Sequence, residues 1–193
     1  METLPAGAAA VLLDRDGTLI RDVGHLSRLE QVEILPRVAE AIRLLCGRGL
    51  KVAVITNQSA VGRGLLTEEE LGRIHGELAG RLAAAGARLD GFFYCPHHPT
   101  EALGSYRLAC DCRKPNVGLA RRAAAELKLD LGRSYVVGDQ ATDMELAERI
   151  GARGILIQAE NGRTAEPGPA PHARVKDLWE AASWIVQDFE GNR

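Results

Sequence analysis

Asp14 and Asp16 stand two residues apart at the end of an apolar run, and Gly17 follows them. Two carboxylates at i and i+2 leaving a strand can both point into one pocket if the chain turns there, and glycine permits that turn. One carboxylate can then act as a nucleophile while the other exchanges a proton with the leaving group or with water. Solvated acids in an Asp-Gly turn would leave the same letters, so Asp14-Arg15-Asp16-Gly17-Thr18 does not decide by itself. Thr56-Asn57-Gln58-Ser59 offers hydroxyls and loop N–H groups of the kind that hold phosphate oxygens. Arg113-Lys114-Pro115 brings a lysine able to neutralise charge on a transferring phosphoryl group. Gly138-Asp139, with Asp143 four residues on, adds more acids. Carboxylates that close repel strongly, so a hard divalent cation is expected among them. Asp143 has a second reading, as an acid favoured at a helix N-terminus.

A second constellation lies between positions 95 and 112. Cys95-Pro96-His97-His98-Pro99 is followed by Cys110-Asp111-Cys112. Three sulfurs and one imidazole can close a tetrahedral zinc site (Zn2+) through Cys95, His97, Cys110 and Cys112, with His98 the alternative fourth ligand. The spacings C-x-H and C-x-C are tight, so loops must supply both pairs. With no vacant position the zinc would be structural. Cys46 stands alone in a helical pattern and reads as a small apolar residue.

These residues need a scaffold, and the apolar pattern supplies one. Strands are predicted at 8–13, 51–55, 91–94, 134–137 and 154–157. Helices are predicted at 36–46, from Thr67 to about Ala85, at 116–128, at 142–150 and at 175–189, with a loop over 160–171. Thr67 and Glu70 have the spacing of a capping box. Alternating strands and helices imply one α/β domain over 1–193, a Rossmann-like parallel sheet with helices on both faces. Ligands bind such sheets beyond the carboxyl ends of the strands, where Asp14, Thr56 and Asp139 fall.

In order, spacing and strand placement, DRDGT at 14–18, TNQS at 56–59, RKP at 113–115 and GDQATD at 138–143 resemble the haloacid-dehalogenase (HAD) superfamily of phosphotransferases. The resemblance implies that Asp14 is the nucleophile and Asp16 the general acid and base. It implies that Thr56 and Lys114 bind the transferring phosphate, and that magnesium (Mg2+) is held by Asp14, the backbone carbonyl of Asp16, and Asp139. The cysteine insert, about 95–112, looks like that of the bacterial branch containing the heptose bisphosphate and histidinol-phosphate phosphatases, where the zinc-bound loop stands in for a large cap domain. Twelve residues separate His97 from Cys110, which resembles the longer loop of the heptose enzymes. The expected substrate is therefore D-glycero-D-manno-heptose 1,7-bisphosphate, cleaved at C7 in nucleotide-activated heptose biosynthesis. Histidinol phosphate is the alternative, and a catalytically silent phosphometabolite-binding fold is the reading from another class. Arg63 and Arg113 are candidates for the non-reacting end, because guanidinium suits phosphate and sugar oxygens. Asp22, Val23, Gly24 and His25 are candidates to meet the sugar. Gln140 departs from the branch, which commonly has a basic residue there.

Composition sets the outer limits. A net charge of -2 argues against a broad phosphate-neutralising surface for nucleic acid. No apolar run approaches the ~20 residues of a membrane span, and Met1 to Pro5 lacks a basic signal-peptide start. The expectation is a cytoplasmic, monomeric enzyme acting on a small sugar phosphate.

Overall fold

The computed structural model describes residues 7–158 and 168–191. Its elements run β1 (Ala10–Leu13), α1 (Val38–Gly47), β2 (Lys51–Asn57), α2 (Ser59–Gly62), α3 (Glu68–Ala84), β3 (Gly91–Cys95), α4 (Gly118–Leu127), β4 (Tyr135–Gly138), α5 (Ala141–Ile150), β5 (Arg153–Ile157), β6 (Ala173–Val175) and α6 (Leu178–Gly191). The strands form one parallel sheet in the order β3-β2-β1-β4-β5-β6. This is the α/β architecture expected from the sequence.

Strands β1 and β4 are buried at every position, which is why they read as continuous apolar runs rather than alternating ones. Alternate residues feed two cores. Val11, Leu13, Val52, Val54 and Val137 pack with the inner faces of α1, α3 and α6. Leu12, Ala53, Ile55 and Val136 face the other way, onto α4 and α5.

Helix α3 starts at the predicted capping box. Thr67 Oγ1 accepts from the Glu70 N–H at 3.1 Å, and the Thr67 N–H donates to the Glu70 carboxylate at 2.6 Å. Two short elements depart from the sequence reading. Residues 59–62 form a single helical turn, α2, where no element was predicted before the helix at Thr67. At the other end, 173–175 adds an edge strand, so the last helix begins at Leu178 rather than at 175. Ala173–Val175 is too short for a periodic signal, and its ladder partner β5 creates it. The expected loop over 160–171 lies mostly outside the described residues.

The segment after β3 folds back over α2. The Leu103 N–H donates to the Gly62 carbonyl at 2.7 Å, Arg63 pairs with Glu101, and the Tyr106 hydroxyl donates to Glu68 at 2.7 Å. Gly62 makes the approach possible, since a Cβ there would lie 2.5 Å from the Pro96 carbonyl oxygen and 2.9 Å from Ala102 Cβ. Gly62→Ala is predicted to cost about 1–3 kcal/mol. Thermal melts should show this as roughly 2–4 °C lost per kcal/mol; an unchanged melt would mean that the loop is not packed this closely.

Candidate active site

Strands β1, β2 and β4 deliver their last residues to one end of the sheet. Asp14 leaves β1 with its N–H bonded to the Val137 carbonyl at 2.9 Å. Lys114 Nζ lies 2.6 Å from Asp14 Oδ1 and 2.6 Å from Asp143 Oδ1, and all three side chains are buried. Asn57 fixes the lysine's backbone, accepting from the Lys114 N–H at 3.0 Å and donating to its carbonyl at 3.1 Å. Asp143 also accepts from the Gln140 N–H at 3.2 Å, so it caps α5 and faces the site at once. Gly138 makes room for it: a Cβ there would fall 2.1 Å from Asp143 Oδ2.

Asp139 completes the group. Gln140 Nε2 donates to its Oδ2 at 3.0 Å, while Oδ1 is buried with no hydrogen-bond partner. Gly17, at φ +76°, lies so close that its Cβ would fall 2.5 Å from Asp139 Oδ2. Burial first, then the charges of Asp14 and Asp143, push the Asp139 carboxyl up to about 7. Burial raises Asp143 too, although Lys114 works against it. For Lys114, burial opposes the charge, but Asp14 and Asp143 outweigh it and the net displacement is upward. Oxygens of Asp14, Asp139 and Asp143 lie within 4.8 Å of one another. Three acids facing one lysine, with an orphaned carboxylate oxygen, fit a hard divalent cation such as magnesium.

Asp16 stands outside that acid group and is held by a second set of side chains, which reaches Thr56 through Gln58. Arg15 Nη2 is 3.0 Å from each of its carboxylate oxygens, and Gln58 Nε2 donates to its Oδ2 at 2.8 Å. Gln58 also donates to Thr56 Oγ1 at 2.8 Å and accepts from Arg15 Nη2 at 2.8 Å. Gln58 is thus buried and spent on neighbouring side chains. Ser59 begins α2. Asp22, Val23, Gly24 and His25 form an exposed turn, closed by the Gly24 N–H donating to Asp22 Oδ1 at 2.8 Å. The Asp22 charge adds a last, small upward push on the Asp139 carboxyl. Arg63 is turned to Glu101, and Arg113 donates to the His97 carbonyl at 3.2 Å. Arg15 and His75 escaped the sequence reading. Arg15 sat in plain view between two acids, whereas His75 carried no signal inside an apolar helix face.

The sulfur cluster lies beside Lys114. Cys112 Sγ is 3.2 Å from both Cys95 Sγ and Cys110 Sγ, and His97 Nδ1 is 3.3 Å from Cys112 Sγ. His98 turns away and accepts from the Glu101 N–H at 3.1 Å. The four donor atoms lie within 4.8 Å of one another, a compact set of three sulfurs and one nitrogen suited to zinc.

Known proteins resemble this chain in sequence and fold. The family described as HAD-hydrolase-like matches residues 111–181. The D-glycero-beta-D-manno-heptose-1,7-bisphosphate 7-phosphatase of Yersinia pestis is 37% identical over 182 residues, covering 93% of this chain and 90% of its own. The enzyme of the same name from Escherichia coli K12 is 35% identical over 182 residues, covering 93% and 89%. The chain belongs to the HAD-like phosphatases. A solved D,D-heptose 1,7-bisphosphate phosphatase from B. bronchiseptica, complexed with magnesium and phosphate, superposes on this HAD-like phosphatase with TM-score 0.82 at 32% identity, covering 93% of this chain and 99% of that one. Its hydrolytic chemistry is that of phosphate monoesters. Among the described residues no helix is long and apolar enough to cross a membrane.

The crowding of acids makes a thermodynamic prediction for this HAD-like phosphatase. Asp139 is raised in the fold, so its contribution to stability is present below its unfolded value, near 4, and is lost as pH rises through about 7. In metal-free protein at pH 8, Asp139→Asn should therefore raise the melting temperature by roughly 2–4 °C for each kcal/mol of repulsion relieved. The same variant should lose the stabilisation that added magnesium gives the wild type. Calorimetry with and without magnesium checks both; a lower melting temperature for the metal-free variant would contradict the crowding.

Proposed function

We propose that this phosphatase hydrolyses the C7 phosphate of D-glycero-D-manno-heptose 1,7-bisphosphate through an aspartyl phosphate on Asp14, in nucleotide-activated heptose biosynthesis. One observation carries the substrate: relatives named for this reaction align over nine-tenths of the chain at 35–37% identity. A cytoplasmic location is supported by bacterial relatives named for the same reaction, and the enzyme is read as a monomer acting on a small sugar phosphate.

The chemistry follows from which protons are already committed. Thr56 Oγ1 accepts from Gln58, so its own O–H is left to donate to a phosphate oxygen. Lys114 spends two N–H groups on Asp14 and Asp143, leaving a third for the phosphoryl group. A carboxylate oxygen of Asp14 attacks phosphorus, the bond from phosphorus to the C7 oxygen breaks, and Asp16 gives its proton to that oxygen. Asp16 then takes a proton from water as the water oxygen attacks phosphorus. The bond from phosphorus to Asp14 breaks and inorganic phosphate leaves. Asp14, the Asp16 backbone carbonyl and Asp139 would hold magnesium, which would supply positive charge against the incoming phosphate. We assign Asn57, Ser59 and the turn at Asp22, Val23, Gly24 and His25 to substrate binding. We assign Arg63 and Arg113 to the far end of the substrate, since guanidinium suits phosphate and sugar oxygens; to reach it they would leave Glu101 and the His97 carbonyl.

Zinc on Cys95, His97, Cys110 and Cys112 would fold the loop that brings Lys114 in, because Cys112 precedes that lysine by two residues. Elemental analysis of reduced, purified protein is expected to give one zinc per chain, and stripping it should lower both melting temperature and turnover. Absence of bound zinc with full activity would reject the site.

The substrate is tested by kcat/KM for the heptose bisphosphate against histidinol phosphate, with phosphorus NMR identifying which phosphate remains. The heptose bisphosphate should be preferred, leaving the C1 phosphate in place. Preference for histidinol phosphate would reject the substrate and keep the phosphatase.

A further inference from the structure

We propose that His75 is a positioning residue: through Arg15 it holds the acid–base carboxylate of Asp16 in its working orientation. This rests on the reading of Asp14 as nucleophile and Asp16 as acid and base.

Arg15 is among the largest fully buried side chains of the molecule. A guanidinium is a permanent cation with a rigid fork of donors, so burying it requires acceptors on every arm. Two arms are met near the site. Nε and Nη2 reach the Asp16 carboxylate at 3.0–3.3 Å, and Nη2 also reaches Gln58 Oε1 at 2.8 Å. The remaining arm, Nη1, lies 3.2 Å from His75 Nε2. Arg15 can only donate, so His75 Nε2 must accept. The ring is therefore neutral, with its proton on Nδ1.

Nothing about packing alone calls for an imidazole there. His75 lies in α3 among Leu71, Ile74, Leu78 and Leu82, all buried in the core. A polar ring in that stripe is disfavoured unless it is hydrogen-bonded. Its environment keeps it neutral: burial, and then the Arg15 charge, push it down to about 3. Its plane is fixed by stacking on Phe92, centroids 4.6 Å apart at 18°, with Tyr94 edge-on at 5.8 Å. A rigid acceptor on a long helix thus sets the rotation of the guanidinium fork, and the fork sets Asp16. Without the acceptor, Nη1 is a stranded buried donor and the fork gains by swinging away, taking the carboxylate with it. A displacement of about 1 Å at a reacting group can cost on the order of 10²-fold in rate.

Two variants separate positioning from packing. His75→Phe keeps a ring against Phe92 and removes the acceptor; His75→Gln loses the ring and returns an acceptor. Turnover of the heptose bisphosphate and of an aryl phosphate is measured with magnesium, alongside melting temperature and acid-quenched phosphoenzyme. His75→Phe should lower kcat about 10- to 100-fold, with KM within a factor of about two. With the aryl phosphate, whose leaving group needs no proton, phosphoenzyme should accumulate in this variant, because the water step still requires Asp16. His75→Gln should recover most of kcat despite a lower melting temperature. Should His75→Phe fail to fold, His75→Met against His75→Gln makes the same comparison. Wild-type phosphoenzyme together with unaltered turnover in the acceptor-less variant overturns this inference alone, as does a kcat that tracks melting temperature in both variants. Absence of phosphoenzyme in the wild type overturns the underlying reading and this one with it.

Discussion

Lys114 lies 2.6 Å from both Asp14 and Asp143, with Asp139 a few ångströms further on, and all four side chains are buried. One ammonium cannot neutralise three buried carboxylates, and unpaired charge in such surroundings is costly. Much of the surrounding structure answers that imbalance. Gly17 and Gly138 give up side chains so that acids can approach the backbone. Asn57 grips the lysine from both sides of its peptide unit. The orphaned oxygen of Asp139 marks where a further positive charge belongs. Stability here is spent on a negatively charged pocket that is satisfied only when a cation and an anionic substrate complete it.

The loop between β3 and α4 extends this logic. The sulfur cluster ends at Cys112 and the lysine follows at 114, so whatever fixes Cys110 and Cys112 also fixes the point from which Lys114 enters. The other side of the loop is tied to α2 and α3 through Gly62, Arg63 and Glu68. Helix α2 in turn follows Thr56, Asn57 and Gln58. Both walls of the phosphate pocket are thus braced by the same twenty-odd residues, which contain little apolar content and depend on sulfur, ion pairs and tyrosine hydroxyls.

Much of this was legible in the sequence because parallel sheets place strand ends together. Asp14, Thr56 and Asp139 could be assigned to one end from three apolar runs alone, and the clustering of Cys95, His97, Cys110 and Cys112 from their spacing. What escaped depended on pairings across the fold. Strand β6 exists only because β5 offers it a ladder. Gln58 reads as a phosphate contact in a polar turn, yet its amide is divided among Arg15, Asp16 and Thr56. Asp143 has the sequence signature of a helix cap and also meets a lysine 29 residues away. His75 carries no local signal, since its meaning lies in an arginine 60 residues earlier in the chain.

Passage of phosphate through Asp14 is tested most directly by trapping the phosphoenzyme. Enzyme quenched in acid during turnover is reduced with borohydride, which converts an aspartyl phosphate to homoserine, and the peptide holding residues 14–18 is sequenced by mass spectrometry. Homoserine at position 14, present only with substrate and magnesium, is the predicted result. Reduction at Asp16 instead, or an unmodified peptide under conditions of full turnover, would contradict the account.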